Sequence, residues 1–315
     1  MAVVAEPDLV AECRAFNEVL ARQLATMPLL ETVPPEVSRR VRRDGGGIFP
    51  PHVHLPRARD LAVAGRAGEI RLRVLPPAGE PRGVYLHVHG GGHVLGSADG
   101  QDELLAALAD ATGLCAVSVE YRLAPEQPFP AGPDDCEDAA LWLAGGGAAE
   151  LGAPEVLAIG GESAGAHLAA LTLLRLRDRH GLRPFRAANL VYGVYDLAGL
   201  PSRRLWGDRD LVLSRASMTW FGDCFLPDTP SGRRRAPELS PLWADLTGMP
   251  PALFTVGTLD PLLDDSLFMA ARWRAAGSEA ELRVYAEAVH GFNLFPLETA
   301  RRANDEQHAF LRAAL

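Results

Sequence analysis

The chain contains no lysine: all 31 of its Lys+Arg positions are arginine. That absence removes whole reaction classes. There is no amine to form a Schiff base with pyridoxal phosphate, no P-loop or kinase strand lysine, and no Ser-x-x-Lys nucleophile. Cysteine is scarce as well. Cys13, Cys115, Cys136 and Cys224 make no C-x-x-C pair and fit no zinc spacing, and four in 315 residues do not form a disulfide framework. Free thiols in a reducing compartment, the cytoplasm, are expected, with no metal and no cofactor. No apolar run approaches the roughly 18–20 residues of a membrane helix. Met1–Val10 carries Glu6 and Asp8 and no basic region ahead of an apolar one, so neither a membrane anchor nor a signal peptide is expected. Positive charge is not in excess either. A net charge of −9 argues against nucleic acid and anionic membrane as partners, since both need a basic face.

What is present is an ordinary globular composition, 48% hydrophobic and 23% charged, long enough for one large domain or two small ones. Apolar positions at helical spacing over Leu9–Leu24 predict a helix. A proline-rich break, a short basic helix and the run Asp44-Gly45-Gly46-Gly47 follow it. From about residue 58 strands alternate with helices. The strands are expected near Leu61, Ile70, Gly83, Leu114, Val156, Asn189, Ala252 and Glu281, which makes eight. Such alternation implies right-handed crossovers and a mainly parallel twisted sheet covered on both faces by helices. The stretch from about 197 to 250 has no strand but carries Trp206, Trp220, Phe221, Phe225 and Trp243. It reads as a helical insertion that meets the N-terminal segment in space.

Gly161-Glu162-Ser163-Ala164-Gly165 follows an apolar strand and opens a helix, the setting of a nucleophile elbow. The turn is so tight that small residues are needed two before and two after the serine, and the serine oxygen is left near the helix N-terminus. His89-Gly90-Gly91-Gly92 follows the strand at Gly83. Glycines there let backbone N–H groups turn inward and, with the N–H of Ala164, hold a developing oxyanion. A dinucleotide fingerprint is disfavoured because Leu95 stands where its third glycine would be.

A serine nucleophile needs a base, and the base needs an orienting acid. Of the nine histidines, His52 and His54 precede the sheet, His87 lies in a strand, and His167, His180 and His308 lie on helices. His290 follows the last strand in a loop, where the C-terminal ends of strands converge. Asp260 occupies the matching place after the strand at Ala252, while Asp264 and Asp265 fall at a helix start where N-capping explains them. The order Ser163, Asp260, His290 is that of the hydrolase fold.

Together these residues resemble the hormone-sensitive-lipase-like esterases, the bacterial family IV carboxylesterases. The matching stretches are HGGG at 89–92, YRLAPEQPFPA at 121–131, GESAG at 161–165, SPLWADLTGMPPALFTVGTLDPL at 240–262 and HGF at 290–292. The resemblance implies an α/β-hydrolase fold with a helical cap. It also implies Gly91, Gly92 and Ala164 as oxyanion donors, with His89, Gly90 and Glu162 as supporting motif residues. The implied substrates are small-molecule esters with short-to-medium acyl groups. The family more often has an aromatic residue at position 93 and Asp at 162. His93 is expected to replace the aromatic ring's packing. His93, Asp196, Trp206 and Phe221 are expected to line the substrate pocket. Residues 1–50 and 197–240 are assigned to the cap, and 51–196 and 241–315 to the core. An amide or lactone hydrolase on the same triad, or a non-catalytic small-molecule binding protein of the same fold, remain alternatives. Residues 281–285, expected at the sheet edge without proline or lysine, are a candidate homodimer contact.

Overall fold

A computed structural model describes residues 2–314. The chain opens with β1 (Ala2–Val4), α1 (Pro7–Leu24), a 3-10 turn at Leu30–Thr32 and α2 (Pro35–Arg43). It continues with β2 (Arg59–Gly65), β3 (Gly68–Leu75), β4 (Gly83–Val88), α3 (Asp102–Thr112), β5 (Leu114–Val119), α4 (Ala131–Trp142) and α5 (Ala148–Glu150). Then come β6 (Leu157–Glu162), α6 (Ala164–His180), β7 (Phe185–Val191), α7 (Pro201–Arg204) and α8 (Arg215–Phe225). The chain closes with β8 (Ala252–Leu259), α9 (Leu263–Ala275), β9 (Ala280–Val289) and α10 (Glu298–Ala313).

The strands form one sheet in the order β1-β9-β8-β7-β6-β4-β5-β3-β2. β2–β3 and β3–β5 pair antiparallel and every other pair is parallel. Every residue of β4, β5 and β6 is buried, as befits strands covered by helices on both faces. α6 is buried continuously from Ala164 to Leu176, so its Ala/Leu sequence is apolar nearly all round rather than striped. It ends at Gly181, whose φ of 67° places it in the left-handed region that glycine tolerates. Polar anchors hold it to α4: Arg175 Nη1 lies 2.8 Å from Asp134 and 3.2 Å from Glu137.

Four expectations are corrected. The described sheet has nine strands, not eight, because Ala2–Val4 pairs in parallel with Arg283–Tyr285. The strand at 281–285 is therefore not an edge. Arg283 is also engaged within the chain, by Glu281 and Glu306. A twofold contact along that strand would first have to displace β1. The same pairing moves the start of the chain out of the cap. α1 packs beside the core: Glu12 accepts from the backbone N–H groups of Glu298 and Thr299 at the start of α10, and Asn17 Nδ2 donates to the Glu287 carbonyl. The part of 1–50 that reaches the site begins at the Leu30 turn and α2. Finally, Asp264 and Asp265 do not cap α9. Asp265 is fully buried and accepts from the N–H groups of Tyr195 and Asp196, and burial raises its pKa to about 7. Asp264 accepts from the N–H of Ser202.

Candidate active site

The C-terminal ends of β4, β6, β8 and β9 converge on one point. Ser163 sits between β6 and α6 with φ 56° and ψ −118°, a strained conformation for a residue with a side chain. The glycines flanking it are a steric requirement, since a Cβ at Gly161 or Gly165 would overlap the Val88 carbonyl oxygen at the end of β4. The turn thus lies directly against the neighbouring strand and pushes the serine side chain outward.

His290, one residue beyond β9, lies with Nε2 2.9 Å from Ser163 Oγ. Its Nδ1 is 2.8 Å from Asp260 Oδ2, just beyond β8. Asp260 is 1% exposed and its other oxygen accepts from the N–H of Leu262, so the carboxylate is held from both sides. The three residues expected as nucleophile, acid and base are joined in one hydrogen-bonded line. Tyr192 backs the base, its ring centroid 4.6 Å from that of His290, and its hydroxyl donates to Asn293 Oδ1. The identity of that support was missed: nothing in the sequence links a tyrosine after β7 to the loop following β9.

Gly90, Gly91, Gly92 and Ala164 line the same cavity as Ser163. Gly91 and Gly92 have φ of 122° and 63°. His89 has its ring stacked 4.2 Å from Tyr121, whose hydroxyl donates to the His89 carbonyl, so the strand end is pinned before the loop begins. Burial lowers the His89 ring to a pKa of about 4. Glu162 is 6% exposed and takes a hydrogen bond at 2.9 Å from His87 Nε2, whose Nδ1 reaches Ser118 Oγ. The residue before the nucleophile is thereby tied to β4 and β5.

Of the four expected pocket residues, two line the cavity and two do not. His93 lines it and stacks on Phe225 at 3.9 Å and 12° between planes, so it does pack as a flat ring. Phe221, on α8, lies over Gly92. Asp196 is fully buried away from the cavity, where it accepts from Arg235 Nε and the N–H of Ala198. Trp206 packs behind the wall and donates from Nε1 to the Leu213 carbonyl. Asp196 stands just ahead of the insertion and Trp206 within it, and their polar atoms are taken up by Ala198, Arg235 and the Leu213 carbonyl. The cavity has a volume of about 150 Å³. Its walls include Leu30 and Arg42 from the N-terminal segment and Met218 and Phe221 from the insertion. Among the described residues no group of three or more His, Cys, Asp or Glu side chains is placed to hold a metal ion. Among the described residues no helix is long and apolar enough to cross a membrane.

A profile of the alpha/beta hydrolase fold matches residues 85–294, two thirds of the chain. The chain belongs to that family. Carboxylic ester hydrolase LipN of Mycobacterium tuberculosis is 35% identical over 274 residues, covering 84% of this chain and 72% of the relative. Carboxylesterase NlhH of the same species is 36% identical over 238 residues, 74% of each chain. Among solved structures, a hyperthermophilic esterase from Pyrobaculum calidifontis superposes with a TM-score of 0.84 at 32% identity, covering 95% of this chain and 97% of that one. The resemblance to bacterial carboxylesterases seen in the short motifs therefore extends over most of the chain.

Proposed function

We propose that the protein is a serine carboxylesterase acting on short-to-medium acyl esters in the cytoplasm. The observation that carries this is the unbroken line Ser163 Oγ–His290 Nε2–Asp260 at the floor of a cavity. The named esterases among its relatives support it. Ser163 Oγ attacks the ester carbonyl carbon while its proton passes to His290 Nε2. Asp260 holds the imidazole by its Nδ1–H and stabilises the charged form that results. The oxyanion of the tetrahedral intermediate is held by the N–H groups of Gly91, Gly92 and Ala164. The intermediate collapses, His290 returns the proton to the departing alkoxide, and the acyl group remains on Ser163. Water, deprotonated by the same histidine, then attacks the acyl-enzyme and releases the acid.

A cavity of this volume admits a benzene-sized group, which suits short acyl chains. A base hydrogen-bonded to the serine favours catalysis over a purely binding role. Cys13, Cys115 and Cys136 are buried free thiols, in keeping with a reducing compartment. A panel of 4-nitrophenyl esters of increasing chain length, run beside amides and lactones, tests the reading. Turnover should be highest for short esters, and Ser163→Ala should abolish both turnover and labelling by a fluorophosphonate. An alanine variant that stays active, or label found on another residue, would overturn it.

A further inference from the structure

The cavity around Ser163 has two unlike walls. One is apolar, formed by Leu30, Val212, Leu213, Met218, Phe221 and Phe225. The other carries Arg42, His52, His89, Ser97 and Gln101. On that polar wall Arg42 stands out. Its guanidinium carbon lies 4.6 Å above the Phe49 ring, and among the described residues no acidic side chain balances its charge. Arg39, three residues earlier on α2, shows the contrast: it spends its fork on Glu126 and the carbonyls of Val94 and Ala124. The cavity's second arginine, Arg203, donates to the Met218 carbonyl and lies in the field of Asp265, Asp196 and Asp223. Among the described residues that line the cavity, only Arg42 brings an uncompensated positive charge, and a partly buried charge without a counter-ion is costly.

A second, independent observation lies on the same wall. Three side-chain atoms there are buried with no hydrogen-bond partner: His52 Nδ1, His89 Nε2 and Gln101 Oε1. Native structures rarely leave such atoms unsatisfied without a reason. His52 is kept uncharged, because burial and then the charge of Arg42 lower its pKa. It therefore offers a neutral ring nitrogen, and the Gln101 amide offers either a donor or an acceptor. A guanidinium with neutral hydrogen-bonding groups beside it is the chemistry of carboxylate recognition.

We propose that this wall is an anion subsite, in which Arg42 pairs with a carboxylate borne by the substrate and His52 and Gln101 hydrogen-bond beside it. The preferred substrates are then half-esters of dicarboxylic acids or acylated hydroxy acids, rather than simple neutral esters. The proposal rests on the esterase reading and narrows its substrate class. It assigns Arg42 as a specificity-determining residue that takes no part in bond making.

Two pairs of esters separate the two positions the carboxylate can occupy. Mono-4-nitrophenyl glutarate against 4-nitrophenyl pentanoate places it on the acyl side, and 4-acetoxybenzoate against its methyl ester places it on the alcohol side. In at least one pair, Arg42→Gln should lower the ratio of kcat/KM for the anionic ester over the neutral one by roughly tenfold or more, mainly through KM. Arg42→Lys should restore part of that ratio, which a loss of packing alone would not allow. Calorimetry with Ser163→Ala should show 4-acetoxybenzoate or glutarate binding that weakens when Arg42→Gln is added. A ratio that moves less than about threefold in both pairs, with no Arg42-dependent binding, overturns the subsite. If neither the anionic nor the neutral ester of either pair is hydrolysed by the unaltered enzyme, it is the esterase reading that fails, and the calorimetry still reports on the anion site.

Discussion

His93 donates a hydrogen bond to His167, with Nε2 3.0 Å from Nδ1. The direction follows from the far side of His167, whose Nε2 lies 2.7 Å from the Leu239 carbonyl and must carry the proton. The glycine loop after β4, the helix that begins at Ser163 and the segment around Leu239 are thus joined by two neutral rings. Neutrality is a condition of the arrangement, because a protonated His167 would turn a second donor toward His93.

Burial, together with the charge of His167, keeps His93 well below the usual histidine range, and burial takes His167 to about 4. In the unfolded chain both rings titrate near pH 6.5. Their contribution to stability is therefore full above about pH 6.5 and falls away in acid, that of His167 as pH drops toward about 4, at up to about 1.4 kcal/mol per pH unit for each ring. Urea midpoints should drop between pH 7.5 and pH 5. In His167→Gln the drop should be shallower, and an unchanged slope would show that this ring does not report on folding.

Activity should fall in acid for a separate reason. His290 accepts the Ser163 proton only when neutral, so kcat/KM should decline by about tenfold per pH unit once it is protonated. Asp260→Asn removes the acceptor that fixes the imidazole tautomer and should cost roughly 10³-fold or more in kcat with little change in melting temperature. A flat acid limb would exclude a histidine base.

Glu162 and His87 form a buried pair beside the nucleophile. Glu162→Ala strands the His87 N–H in the core and should destabilise the fold by about 1–3 kcal/mol. Glu162→Gln keeps an acceptor and should recover most of that. Chemical denaturation of the two variants reads the difference directly.

Gly165→Ala tests the elbow itself. The added methyl collides with the Val88 carbonyl, which is backbone and cannot rotate away. A loss of about 1–3 kcal/mol or more is expected, together with displacement of Ser163 and loss of turnover. A variant with native stability and rate would mean that the strand–helix contact is looser than described.

Phe221→Ala removes the ring that lies over Gly92. The acyl profile should shift toward longer chains, with KM for a hexanoyl or octanoyl ester falling relative to the acetyl ester. An unchanged profile on the 4-nitrophenyl series would place the acyl group against another part of the wall.

The sequence made the reacting core legible because each element of it is local. The elbow is a five-residue motif, and Asp260 and His290 each stand just past an apolar strand, so chain order alone predicts that they converge. What it could not show depends on side-chain direction or on very short pairing. Ala2–Val4 is too brief to display a period of two. Trp206 lies in the insertion after β7 and Asp196 just ahead of it, but which side chains of an irregular segment face inward is decided by its own internal hydrogen bonds. His167 carried a usable signal, since it stands four residues, one helical turn, after Ser163 and so lies on the same face of α6. The polar wall carried none: Arg42, His52 and Gln101 come from three separate segments that no spacing rule connects.

The parallel pairing of Ala2–Val4 with Arg283–Tyr285 bears on the order of assembly. Val4 can pair with Tyr285 only after β9 has been made, and the segment from Pro7 onward reaches its berth against α10 only when that helix exists. Contacts of such long sequence separation carry the largest loop-closure cost and form late. The elbow and its sheet can consolidate around β4–β7 while this seam stays open. β1 and α1 then dock against β9 and α10.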